Sequence, residues 1–146
     1  ADGYGVIFRQ LDRKNYYVFS INNDGVYRVG RLLGGELRFL SDWVETDIIQ
    51  REIGSVNQLR VVGYEDYFQF YINGELMELC IPDDVDAFST MFNGECLRGS
   101  MQTVLVDDSI TSGRLGVAVE VRGQDSGLVV DFDNVVIYGP EPIARD

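Results

Sequence analysis

The chain has 146 residues, 45% of them hydrophobic and 25% charged, a composition that sets one ordinary globular domain as the expectation and excludes disorder. Acidic residues outnumber basic ones 24 to 12, so a polyanion such as DNA is repelled and nucleic acid is excluded as a partner. No apolar run approaches the ~18–20 residues of a membrane-crossing helix, so no membrane insertion is expected, and the absence of histidine removes Ser-His-Asp and Cys-His catalysis and His-ligated zinc.

In chain order, short runs rich in Val, Ile, Tyr and Phe alternate with Gly, Asn and Asp turns, which predicts an all-β protein. The predicted strands are Tyr4–Gln10, Asn15–Ile21, Gly25–Leu33, Glu36–Leu40, Val56–Tyr64, Tyr67–Asn73, Glu75–Cys80, Leu115–Arg122 and Leu128–Tyr138. Hairpin signals sit at Leu11–Lys14, Asn22–Gly25, Gly34-Gly35 and Asn73-Gly74, the last a two-residue turn that needs positive φ at both positions. Period-2 alternation puts Phe68, Phe70 and Ile72 on one face and Tyr67, Gln69 and Tyr71 on the other. Leu115, Val117, Val119 and Val121 likewise oppose Gly116, Ala118, Glu120 and Arg122, and Val130 and Phe132 alternate with Asp131 and Asp133. One apolar and one mixed face per strand is the pattern of two stacked antiparallel sheets, a β-sandwich.

Two stretches break the strand rhythm. Ser41–Gly54, with Trp43, is expected to be an ordered loop or to hold a helical turn. Trp43 itself is expected as a core or loop plug. Ile81–Ser112 is a long insertion without strong periodicity, apart from a small strand at Thr103–Val106, and such a loop is functional or needs a staple. Cys80 and Cys96 either pair as that staple or sit as two buried thiols. Pairing would close a loop of about 16 residues, contribute on the order of 3 kcal/mol, and imply an oxidising, extracellular or cell-surface location. Residues 1–138 are expected to form a single domain and 139–146 a C-terminal tail.

The order of motifs carries a resemblance. Gly3–Arg9 leads into Asn15–Ile21 and Gly25–Val29, then Trp43, Asn57–Val62, Phe70–Gly74, Ser112–Val117 and Asp131–Val135. This series resembles the concanavalin A-like lectin/glucanase superfamily, nearest to laminin-G-like modules of bacterial surface proteins and the related 3-keto-disaccharide hydrolase-like domains. The resemblance implies a jelly roll, and it implies further strands before Gly3. Their place is taken by truncation, by a strand from another chain, or by closure with fewer strands. It implies no single function, since the fold hosts lectins, hydrolases and interaction modules.

Three chemistries compete for these residues. Glycoside hydrolysis needs two positioned carboxylates. The nearest match is Glu45-Thr46-Asp47-Ile48-Ile49-Gln50, which lacks the last acid, and a cross-strand pair of Glu120 with Asp131 or Asp133 is the other arrangement. A structural calcium ion is the one cofactor the residues suggest, with solvated acidic loops that serve solubility as the alternative, and it needs several oxygen ligands. Asp83/Asp84/Asp86, Asp107/Asp108 and Asp131/Asp133 offer them, the last pair on one strand face. Carbohydrate recognition needs aromatic platforms and planar hydrogen-bonding groups, supplied by Arg9, Tyr16, Arg28, Tyr67, Gln69, Tyr71 and Arg122 on mixed faces. The same residue types serve protein–protein hot spots. The expectation is a non-catalytic extracellular recognition module that binds a glycan through a concave sheet face. A structural or assembly module is the alternative and a glycoside-acting hydrolase the second.

Overall fold

The computed structural model describes residues 3–120, and their side chains as far as residue 114. The described chain is all-β and antiparallel. Strands β1 (Gly3–Asp12), β2 (Asn15–Asn22), β3 (Val26–Leu33) and β4 (Glu36–Glu45) form a meander, and β13 (Arg114–Glu120) closes its open side, for the order β13-β1-β2-β3-β4. The second sheet holds β5 (Leu59–Tyr64), β6 (Tyr67–Ile72), β7 (Glu75–Leu76) and β12 (Leu105–Val106), with β5 on one side of β6 and β7 and β12 on the other. Between these come β8 (Leu79–Pro82), β9 (Thr90–Phe92), β10 (Glu95–Leu97) and β11 (Gly99–Gln102), paired β8–β11 and β9–β10.

The alternation read from the sequence decides which side of each sheet is dry. Tyr17, Phe19 and Ile21 of β2, Tyr27 and Val29 of β3, and Phe68, Phe70 and Ile72 of β6 are buried together. The two sheets meet through their rings: Phe19 lies 4.9 Å from Phe70, and Phe8 5.3 Å from Phe68. Each such aromatic pair adds about 0.5–1.5 kcal/mol to the area it buries. The result is a sandwich of two antiparallel sheets with one aromatic core.

Turn chemistry explains the pairing. Asn73 and Gly74 both take positive φ, 51° and 84°, as a two-residue hairpin requires. At Gly5 the demand is steric: a Cβ there would come within 2.0 Å of the Phe19 carbonyl oxygen, so only glycine lets β1 approach β2.

Three expectations are corrected. The strand placed at Glu36–Leu40 continues to Glu45, so Trp43 belongs to β4 and not to a loop or helical turn. Its partner β3 supplies the reason, since Tyr27 and Val26 pair with Val44 and Glu45 after two register shifts that the periodicity does not signal. The strand placed at Glu75–Cys80 is two, β7 and β8, because β7 turns back onto β6 while β8 leaves to pair with β11. The insertion expected as a long irregular loop is two nested hairpins, built from strands too short to display a period. Leu128–Tyr138 and the 139–146 tail lie outside the described residues.

Candidate binding face

The β5–β6 hairpin turns at Glu65-Asp66, with Glu65 at φ 55°. This short turn fixes the register Tyr64↔Tyr67, Val62↔Gln69 and Arg60↔Tyr71. Leu59, Val61 and Gly63 therefore face the core opposite Ile72, Phe70 and Phe68, and the other set faces outward. On the far side of β6, Val106 pairs with Tyr67 and Leu76 with Tyr71. The outer face thus carries two rungs capped by tyrosine, with Gln69 between them. Tyr64 and Tyr67 are 43% and 42% exposed, and their rings stand 5.7 Å apart at 55°. The Arg60 guanidinium lies 5.3 Å from the centre of the Tyr71 ring, within cation–π range. The face offers tilted aromatic surfaces, an amide and a guanidinium: stacking groups beside planar donors and acceptors.

Of the residues expected on one mixed face, this sheet gathers Tyr67, Gln69 and Tyr71. Tyr16 and Arg28 lie on the outer face of the other sheet, since their neighbours Tyr17, Tyr27 and Val29 point into the core. Arg28 is only 8% exposed and its guanidinium is sandwiched between Phe39, at 3.7 Å, and Trp43, at 4.0 Å. The half-buried Trp43 is therefore a stacking partner on that outer face, not a core plug. Arg9 sits at a bulge in β1 with φ 50°, which turns its side chain inward. Its guanidinium lies 4.5 Å over the Phe68 ring and donates to the carbonyls of Glu65 and Ile110. Burial holds the Arg9 value below the ordinary guanidinium range, against the pull of Tyr17 and Asp66. Arg9 is a clamp between sheets. Arg122, Asp131 and Asp133 lie outside the described residues.

Sequence reasoning missed Tyr64 and Arg60. The signal was present: a two-residue turn at Glu65-Asp66 between two strands makes Tyr64 the cross-strand partner of Tyr67, and counting back two residues reaches Val62 and then Arg60.

Of the acidic clusters, Asp107 is engaged within its own chain. Asp107 accepts hydrogen bonds from the Tyr17 hydroxyl and the Ser109 backbone N–H and forms an ion pair with Arg31. Burial pushes the Asp107 carboxyl up, but Tyr17, Ser109 and Arg31 outweigh it and hold it below the ordinary carboxylate value. Burial and the neighbouring Asp107 push the Tyr17 phenol well above its ordinary value, and burial and Glu78 do the same for Tyr27, whose hydroxyl donates to the Glu78 carbonyl. Asp83, Asp84 and Asp86 are exposed in the loop after β8. Among the described residues, no group of three or more His, Cys, Asp or Glu side chains is placed to hold a metal ion. Glu45 lines an open cleft with Glu75 and Glu78, floored by Tyr27, Met77 and Met101, while Asp47 and Gln50 do not line it.

Cys80 and Cys96 form the disulfide, which resolves the alternative left by the sequence. Among the described residues, no helix is long and apolar enough to cross a membrane. No protein-family model, no curated protein and no solved structure matches this chain.

Proposed function

We propose that the protein is a non-catalytic recognition module of the cell exterior that binds carbohydrate on the outer face of the β5–β6 sheet. The observation that carries this reading is the register that lines up Tyr64, Tyr67, Gln69, Tyr71 and Arg60 on one outward face, with Tyr64, Tyr67 and Arg60 exposed and Gln69 and Tyr71 half-buried. Tyrosine is a rigid platform with a polar tip, and it loses little conformational freedom on binding. A pyranose offers an apolar C–H face to such a ring and hydroxyls to groups such as Gln69 and Arg60. The motif order that resembles the concanavalin A-like superfamily is compatible with this class and does not single it out. The Cys80–Cys96 disulfide supports an oxidising location. Nothing in the Tyr/Gln/Arg constellation calls for a metal ion, so recognition on this face is metal-independent.

The test is binding of the purified full chain to an array of immobilised glycans, with and without a chelator. Binding that survives chelation is the expected result. Binding abolished by the chelator would move the site to the acidic loops, and no binding in either condition would leave the assembly reading in its place.

A further inference from the structure

The insertion carries a second surface on different elements. β9 and β10 are closed by Asn93 and Gly94, both at positive φ, 51° and 79°. The register Thr90↔Leu97 and Phe92↔Glu95 puts these four residues on one side of the hairpin and Met91 and Cys96 on the other. The inner side is anchored. Cys96 is bonded to Cys80, Met91 packs on the core, and the Met91 N–H donates to the Asp42 carboxylate at 2.8 Å. The loop leading into the hairpin is strapped to β4, where Arg38 donates to the carbonyls of Val85 and Ala87 at 2.7 and 2.6 Å and lies 4.7 Å from the centre of the Phe88 ring.

The outer side is apolar and open. Phe88 and Phe92 are 61% and 60% exposed, and Val85 and Leu97 are exposed with them. Scattered exposed apolar residues are ordinary, but four between Val85 and Leu97 of one stapled segment, Phe92 and Leu97 on the same side of the hairpin, concentrate apolar surface as interaction sites do. The same segment is acidic. Across residues 79–102 the acids are Asp83, Asp84, Asp86 and Glu95, and the one base is Arg98.

We infer that the outer side of the β9–β10 hairpin, with Phe88, is a docking surface for a basic, partly apolar segment of another protein. Asp83, Asp84 and Asp86, exposed in the loop before Phe88, and Glu95, the cross-strand partner of Phe92, supply the charge complementarity and outnumber the nearby cations Arg38 and Arg98. A second copy of the chain is disfavoured as occupant, since each carries a net charge of −12. The disulfide and the Arg38 strap hold the surface in place before binding, which removes much of the ordering cost of association.

The test uses the full, oxidised chain and a fluorescein-labelled peptide of alternating leucine and lysine, followed by anisotropy at low and high salt. Saturable binding is expected, weakened about tenfold or more by high salt and about tenfold or more in Phe88→Ser/Phe92→Ser, which keeps every charge. Tyr67→Ala is expected to bind the peptide as the parent does, which separates this surface from the glycan face. Asp83→Asn/Asp84→Asn/Asp86→Asn changes a solvated loop, keeps the fold, and is expected to weaken binding severalfold even where the double serine variant fails to fold. Three results would overturn the inference: no saturable binding, binding unchanged in the folded double serine variant, or self-association of the parent chain abolished by that variant.

Discussion

Asn73 holds more of the fold than its place in a surface turn implies. Its backbone takes positive φ, its side-chain nitrogen donates to Ile48 O at 2.8 Å and Asn57 Oδ1 at 3.0 Å, and its Oδ1 accepts from the Gln58 N–H. Asn57 in turn donates to Gln50 O and to the Tyr4 hydroxyl, so two asparagines fasten residues 46–58 to the β6–β7 turn. Asn73→Ala removes these bonds and leaves an alanine in the left-handed region, which asparagine tolerates better; a loss of about 2–3 kcal/mol is expected in denaturant unfolding. The titratable residues give the second prediction at this scale. The Tyr17 and Tyr27 phenols are raised in the folded state, so their contribution is complete below about pH 10 and is lost as pH rises through their folded values. Asp107 is lowered, so its contribution is present above about pH 4 and is lost as pH falls through its folded value. In an alkaline titration followed by phenolate absorbance, Tyr17 and Tyr27 of the eight tyrosines are expected to ionise only as the protein unfolds. Ionisation of all eight in one step in the folded protein would contradict this. Tyr27→Phe is expected to soften the alkaline limb of the stability curve and Asp107→Asn the acid limb.

At the level of elements, the meander β1–β4 and the hairpin β5–β6 were legible because their strands are long enough for period-2 alternation and their turns carry Asn, Asp and Gly. The insertion was not. β9 and β10 have three residues each, and a period cannot be seen in three residues. What makes them strands is the disulfide and the bond from Met91 to Asp42, contacts between residues far apart in sequence. Trp43 was misread for a related reason: the bulges between β3 and β4 shift the pattern midway. The staple has a measurable weight. Opening Cys80–Cys96, by reduction or by Cys80→Ser/Cys96→Ser, is expected to cost about 3 kcal/mol, a fall in Tm of roughly 6–12 °C in thermal unfolding. Phe70, at the meeting point of the two sheets and fully buried, is expected to cost about 3–5 kcal/mol as Phe70→Ala.

On the scale of the whole molecule, a sandwich has two outer faces, and strand periodicity cannot say which of them a residue occupies. Tyr16 and Tyr67 have the same local signature, yet they lie on opposite sides of the protein because β2 and β6 belong to different sheets. That is why the expected site was half legible: Tyr67, Gln69 and Tyr71 share one strand and stay together, whereas Arg9 and Arg28 are drawn into packing by Phe68, Phe39 and Trp43. The division also supplies the internal control for the most direct measurement. Array binding of the parent chain is compared with Tyr64→Ala/Tyr67→Ala on the β5–β6 face and with Tyr16→Ala on the other. The account predicts that glycan binding falls about tenfold or more, at least ~1.4 kcal/mol, in the first variant and stays at the parent level in the second. Undiminished binding in a folded Tyr64→Ala/Tyr67→Ala protein, or loss confined to Tyr16→Ala, would contradict it.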